Sequence, residues 1–216
     1  MATRKVILAT GEIYHIFNRS THGIPIFKSK RAIDNFLEAA RFYLSSTPPV
    51  KFSVYRKGKY NNLPDLSRPL VKIIAYCLMP NHFHFILLQS RDSGIKIYLQ
   101  KLIGSYSHYF NLKKEQKGPL FESRFKAVRV ETEEQLLHLS RYIHLNPVTA
   151  YLSENPAGYS YSSFPAYLGE ESFLPIETSM ILSCFSSAKK YQEFVLARKE
   201  YQRELDKIKH LLLEEP

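Results

Sequence analysis

The chain has 216 residues, with thirty Lys and Arg against twenty Asp and Glu and a net charge of +10. That length suits one packed domain with room for an appended piece, and the apolar and charged fractions exclude a disordered or fibrous chain. No apolar run approaches a membrane span, the stretch within Met1–Thr10 is too short for a secretory leader, and two distant cysteines, Cys77 and Cys184, exclude a disulfide scaffold or thiolate zinc site, so a cytoplasmic protein is expected. The dispersed positive charge is a nucleic-acid footprint, although anionic membranes attract the same composition.

In chain order, Gly11 to Arg19 alternates and reads as a strand, and Lys30 to Leu44 carries Ile33, Phe36, Leu37 and Ala40 at helical spacing. Ser45 to Leu70, rich in Pro, is expected to be a strand followed by a loop, with a basic centre at Arg56, Lys57 and Lys59. Val71 to Leu78 is an apolar strand. Pro80-Asn81 then turns the chain into a second strand, predicting an antiparallel hairpin. Gly94 to Asn111 has a clean helical stripe through Ile95, Leu99, Leu102, Tyr106 and Phe110, and Arg124 to Val130 is a short strand.

Thr132 and Gln135 form a capping-box pattern opening a helix that is expected to stop near Leu145, before Pro147. Ser153 to Pro175 looks like a tail wrapping the domain, and Ala188 to Leu213 like a charged helix. The order β-α-β-β-α-β-α predicts an α+β fold, an antiparallel sheet covered by helices, with a main domain over 1–152 and a tail and helical extension over 153–216.

Two places carry chemistry. In the second hairpin strand His82 and His84 are two residues apart, so both imidazoles leave one face while Phe83 and Phe85 point the other way into a core. Adjacent imidazoles with an open side can cradle a divalent cation, and from the ligands alone zinc would be the first choice. A lone pair of this kind is more often an ordinary structural one. On the helix after Thr132, His138, Tyr142 and Asn146 are spaced four apart and share a face, beside an interior stripe of Leu136, Leu139 and Ile143. Taken alone, that row reads as a core-edge Tyr, a capping Asn and a solvated His.

Met79-Pro80-Asn81-His82-Phe83-His84, Gly118-Pro119-Leu120-Phe121-Glu122-Ser123-Arg124-Phe125-Lys126 and Tyr142-Ile143-His144-Leu145-Asn146-Pro147-Val148 together resemble the single-tyrosine HUH transposases. The branch they resemble most is that associated with repetitive extragenic palindromes. Tyr14 to Arg19 is similar to that family's first strand, and Tyr161 to Phe164 with Tyr167 to its downstream segment. The resemblance spans roughly residues 11 to 170. It implies a ferredoxin-like domain that cleaves and joins single-stranded or hairpin DNA through a covalent 5′-phosphotyrosine, with Mg²⁺ or Mn²⁺. By position it makes Tyr142 the nucleophile and His82 and His84 metal ligands, and puts Asn146 where related enzymes have a Gln ligand. Relatives include helix-exchanging dimers, whereas the repeat-associated branch is monomeric; a monomer is expected here, with a dimer open.

Lys113, Lys114, Lys117, Arg124, Lys126 and Arg129 concentrate positive charge where phosphates would lie, and Phe121 and Tyr109 could stack on unpaired bases. Tyr109 also competes with Tyr142 as nucleophile, whereas Tyr106 continues a core stripe. Two other functions fit the same residues. One is a phosphoesterase in which the histidines activate water; the other is a non-catalytic hairpin binder.

Overall fold

The computed structural model describes residues 6–59 and 64–204. Its elements are β1 (Ile13–Arg19), α1 (Lys30–Phe42), the single turn α2 (Phe52–Val54), β2 (Val71–Met79), β3 (His82–Gln89), α3 (Gly94–Lys114), β4 (Lys126–Val130), α4 (Glu133–Thr149), the short α5 (Phe164–Tyr167) and α6 (Ser179–Leu182), and α7 (Ala188–Leu196). The four strands form one antiparallel sheet in the order β2-β3-β1-β4. With α1 and α3 as the crossovers, this is the ferredoxin-like arrangement expected from the sequence.

Strand alternation divides the interior into two layers. Tyr14 and Ile16 of β1, Phe83, Phe85 and Leu87 of β3, and Tyr76 and Leu78 of β2 pack under α1 and α3 with Phe36, Leu99, Leu102 and Tyr106. Ile86, Cys77, Met79 and Val130 face the other way, against Leu136, Ile143 and Val148 of α4. Burial on both faces explains why β2 is a continuous apolar run from Ile73 to Met79 rather than an alternating one. A register shift between Ile73 and Ala75 lets odd positions of β2 face α1 and α3 before it and even positions after it. At the start of α3, Gly94 packs so close that an added Cβ would collide with the Leu70 carbonyl oxygen.

Several boundaries differ from expectation. Ser45 to Leu70 contains no strand among its described residues. Phe52 to Lys59 is helical instead, with Phe52 stacked among Phe42, Tyr43 and Tyr55, because aromatic packing outweighs the local strand propensity. Pro147 lies inside α4, which runs on to Thr149. Proline removes only one helical bond, and the buried Pro147 and Val148 are held while Leu152 and Ser153 donate N–H groups to the Pro147 carbonyl. The capping box forms with a shift: Gln135 donates its N–H to Thr132 Oγ1 at 3.1 Å, but its side chain accepts from the Glu131 N–H at 2.8 Å.

The segment after α4 runs along the open edge of β2. Tyr161 and Glu177 pair with backbone groups of Leu78 and Ile73, and Ser163 Oγ accepts from the Tyr76 N–H. This covers an edge that would otherwise present unpaired donors and acceptors. Phe164, Tyr167, Tyr191 and Val195 then enter the same buried layer as α4, so the residues on both sides of the 152/153 boundary share one core. The expected helix from Ala188 breaks after Leu196 and resumes over 199–204; its Leu205, Ile208 and Leu212 lie outside the described residues. Among the described residues no helix is long and apolar enough to cross a membrane.

Candidate active site

The layer between the sheet and α4 opens at the end of the sheet where β1 finishes and β3 and β4 begin. There the register sets Phe17 beside His84 and Lys126, and Arg19 beside His82. The two strand histidines share a face as the i, i+2 rule requires. Their ring centroids are 5.1 Å apart and nearly perpendicular, while Phe83 and Phe85 are buried on the opposite face. Tyr142, on α4, comes down over them: its ring is 5.8 Å from that of His84, at 88°. The phenol and the imidazole therefore meet within one chain, without a helix from a second copy.

Exposure differs sharply across this small site. His84 is only 7% exposed, while Tyr142 is 40% exposed and open to a large substrate. Burial lowers the pKa of His82 to about 4, helped by the Arg19 charge. Burial also drives His84 well below its ordinary range, with His82 and His15 adding to the effect. Both imidazoles are thus neutral at neutral pH and keep a lone pair for a cation. His82 Nδ1 lies 2.7 Å from Asn81 Oδ1, and Asn81 Nδ2 donates to the Gly23 carbonyl at 3.3 Å. That chain puts the proton on His82 Nδ1 and leaves the lone pair on Nε2. Among the described residues no three His, Cys, Asp or Glu side chains form a ready cage, so a third protein donor would have to be of another kind. Asn146, one turn beyond Tyr142, is 8% exposed, and its Nδ2 is buried without a hydrogen-bond partner. That Nδ2 is a donor calling for an acceptor, so only the oxygen of this carboxamide could ligate a cation. The donor set, two neutral imidazoles and an amide, fits a divalent cation.

The predicted DNA-contacting residues separate into groups. Lys126 is at the site, its Nζ 5.8 Å from the centre of the Phe17 ring that stacks on His84. Lys113 and Lys114 end α3, and the antiparallel topology brings that end, with the exposed Lys117 beyond it, to the same end of the sheet. Arg124 is exposed but precedes β4 rather than lying in it, and it lines a small groove with Phe125, Leu99 and Ile103 on the α3 side. Arg129 pairs with Tyr14, faces away from the histidines, and makes an ion pair with Glu12 at 2.7 Å.

Phe121 is not a stacking platform. It is 5% exposed and packs edge-on against Phe83, because the turn at Gly118-Pro119 directs Leu120 and Phe121 inward. Tyr109 is on the α3 layer, its hydroxyl buried and Arg56 over its ring, on the far side of the sheet from the histidines. His138 pairs with Arg141 and Glu134 on its own helix. His144 is fully buried and turns away from the site, bonded to Tyr191 and Ser163.

Two residues at the site were not singled out from sequence. Arg19 is placed opposite His82, and His15 Nε2 lies 3.0 Å from His84 Nδ1. The alternation of β1 already put His15, Phe17 and Arg19 on one face; only the pairing of β1 with β3 shows which histidines that face meets.

Residues 66–146 match the family model described as IS200-like transposase. Among solved structures the chain resembles a REP-associated tyrosine transposase bound to a REP hairpin. The TM-score is 0.53 at 16% identity, covering 79% of this chain and 87% of that one, a likeness that shows the fold. No curated protein matches the sequence. Residues 66–146, which hold both strand histidines and Tyr142, thus match the IS200-like transposase model, and the fold built around them is similar to that of the REP-associated tyrosine transposase.

Proposed function

We propose that this protein is a transposase that cleaves and rejoins single-stranded or hairpin DNA through Tyr142, passing through a 5′-phosphotyrosine. The observation that carries this reading is the placement of the Tyr142 ring over the buried, neutral His84 at 5.8 Å, on an exposed edge of the sheet. A hairpin-bound relative of the same fold supports hairpin DNA as the substrate.

His82, His84 and Asn146 would hold Mg²⁺ or Mn²⁺, which would polarise the scissile phosphate and offset charge developing in the transition state. A free tyrosine phenol has a pKa near ~10, so Tyr142 as nucleophile needs a phosphate held in line and shielded from its own repulsion. Arg19 and Lys126, flanking the histidines, supply positive charge for that task. As the tyrosine oxygen bonds to phosphorus, the bond to the 3′-oxygen breaks; the phenol loses its proton and the departing oxygen gains one. One phosphodiester replaces another, so a 3′-hydroxyl can reverse the step and join strands. No nucleotide cofactor is consumed.

The test uses hairpin DNA with a single-stranded flank, labelled at one end or the other, incubated with Mn²⁺ and resolved under denaturing conditions. The 3′-labelled fragment should migrate with the protein and the 5′-labelled fragment should leave with a free hydroxyl. Tyr142→Phe should remove the adduct and retain DNA binding. Cleavage to two free ends by the wild-type protein would replace this reading with hydrolysis by activated water, and binding without cleavage would leave a hairpin binder.

A further inference from the structure

His84 has a partner that neither the motif nor the family match assigns. His15 projects from β1 on the same face as His84, one position removed in the register: His15 pairs with Ile86, and Phe17 pairs with His84. Its Nε2 is 3.0 Å from His84 Nδ1, and the two rings lie 5.2 Å apart at 18°. Phe17 packs against both, at 4.8 Å from His15 and 5.9 Å from His84, and so fixes the two ring planes together.

A hydrogen bond between two imidazole nitrogens needs one proton, and either ring can carry it. If it is on His15 Nε2, His84 must carry its own proton on Nε2 and has no lone pair to offer there. If it is on His84 Nδ1, His84 Nε2 is free. His82 is already committed to the second arrangement by Asn81. Two ligating nitrogens of the same kind on one strand face therefore require His84 to donate and His15 to accept.

We propose that His15 is a positioning residue: by accepting a proton from His84 Nδ1 it holds His84 in the tautomer and plane that aim Nε2 at the cation. This role rests on the cation centre proposed above. Ligating histidines ordinarily give their second N–H to a carboxylate or a backbone carbonyl. An imidazole does the same work without placing negative charge where a phosphate has to approach, which suits a site whose substrate is a polyanion.

The experiment measures Mn²⁺ affinity of the full-length protein without DNA, together with the imidazole nitrogen resonances of His84 in ¹⁵N-histidine-labelled protein. Wild type should show His84 protonated on Nδ1. His15→Leu should weaken Mn²⁺ binding by roughly 10- to 100-fold, as loss of such a partner does, and shift His84 toward the Nε2-protonated form. His15→Gln, whose side-chain oxygen can accept the same proton, should recover most of the affinity; no recovery counts against the acceptor role. Wild-type affinity in His15→Leu, or His84 found protonated on Nε2 in the wild type, overturns the positioning role alone. A wild-type protein that binds no Mn²⁺ overturns the cation centre and this role with it. A His15→Leu protein that has lost its fold would show it in the other histidine resonances, and His15→Gln with the wild-type tautomer then decides the case.

Discussion

Lys126 and Arg129 sit three residues apart in one strand and face opposite sides of the sheet. Lys126 lies by Phe17 at the site, while Arg129 is engaged by Glu12 on the other side. Replacing Lys126 with Ala should weaken binding of flanked hairpin DNA and lower the slope of log affinity against log salt by about 1. Arg129→Ala should leave both nearly unchanged. Fluorescence anisotropy at several salt concentrations checks this, and equal losses from the two variants would contradict the placement. The contrast also shows what single residues reveal in a sequence. His82 and His84 could be read as a pair because strand geometry alone puts them together. His15 could not, since its partner lies on another strand and the register that joins them is set by the whole hairpin and β1. Phe121 misled for a similar reason: an aromatic beside basic residues looks available for stacking, and only the turn before it sends it into the core.

Helix α4, which carries Tyr142, is held at its back by a buried relay. Ser163 donates to His144 Nε2 at 2.8 Å, His144 Nδ1 donates to the Tyr191 oxygen at 2.7 Å, and the Tyr191 hydroxyl donates to Ser140 Oγ at 3.1 Å. Two residues of α4, His144 and Ser140, are thereby fastened to α7, and His144 also to the strip along β2. His144→Phe should destabilise the protein by about 1–3 kcal/mol, the cost of leaving buried partners unpaired. Tyr191→Phe removes a single hydroxyl and should cost less. Thermal melts order the two variants, and an equal or smaller effect at His144 would refute the relay's importance. Beyond α7, Gln202 and Arg203 donate to the Tyr142 and Val148 carbonyls, so the chain after α4 returns to brace it. The helix itself was evident from its cap and its apolar stripe. Its length was not, because a proline near a helix end stops it only when nothing packs beyond, and Val148 and Thr149 are buried. The role of His144 was equally hidden: its partners lie 19 and 47 residues away.

Across the described residues, a four-stranded sheet is covered on both faces and the candidate site is confined to one open end. The α+β class and the strand and helix order followed from periodicity; the helical turn at Phe52 did not, because it depends on tertiary aromatic packing. Four histidines held in or beside this interior make the fold sensitive to acid. His15 and His82 protonate in the folded state only at about 4 and His144 only at about 3, all through burial, against an ordinary value of 6.5. The unfolded chain therefore takes up protons first as pH drops. Their contribution to stability is complete above pH 6.5 and is lost progressively between there and about pH 3. The melting temperature of metal-free protein should fall from pH 7.5 to pH 5, and a flat profile would contradict the burial of neutral imidazoles.

The Tyr142 oxygen is the atom proposed to take the DNA phosphate. The most direct measurement digests the covalent protein–DNA product and locates the modified side chain by tandem mass spectrometry. A nucleotide on the peptide spanning Arg141 to Asn146, attached at Tyr142, is the predicted result. Attachment at Tyr109 or any other tyrosine would contradict the account.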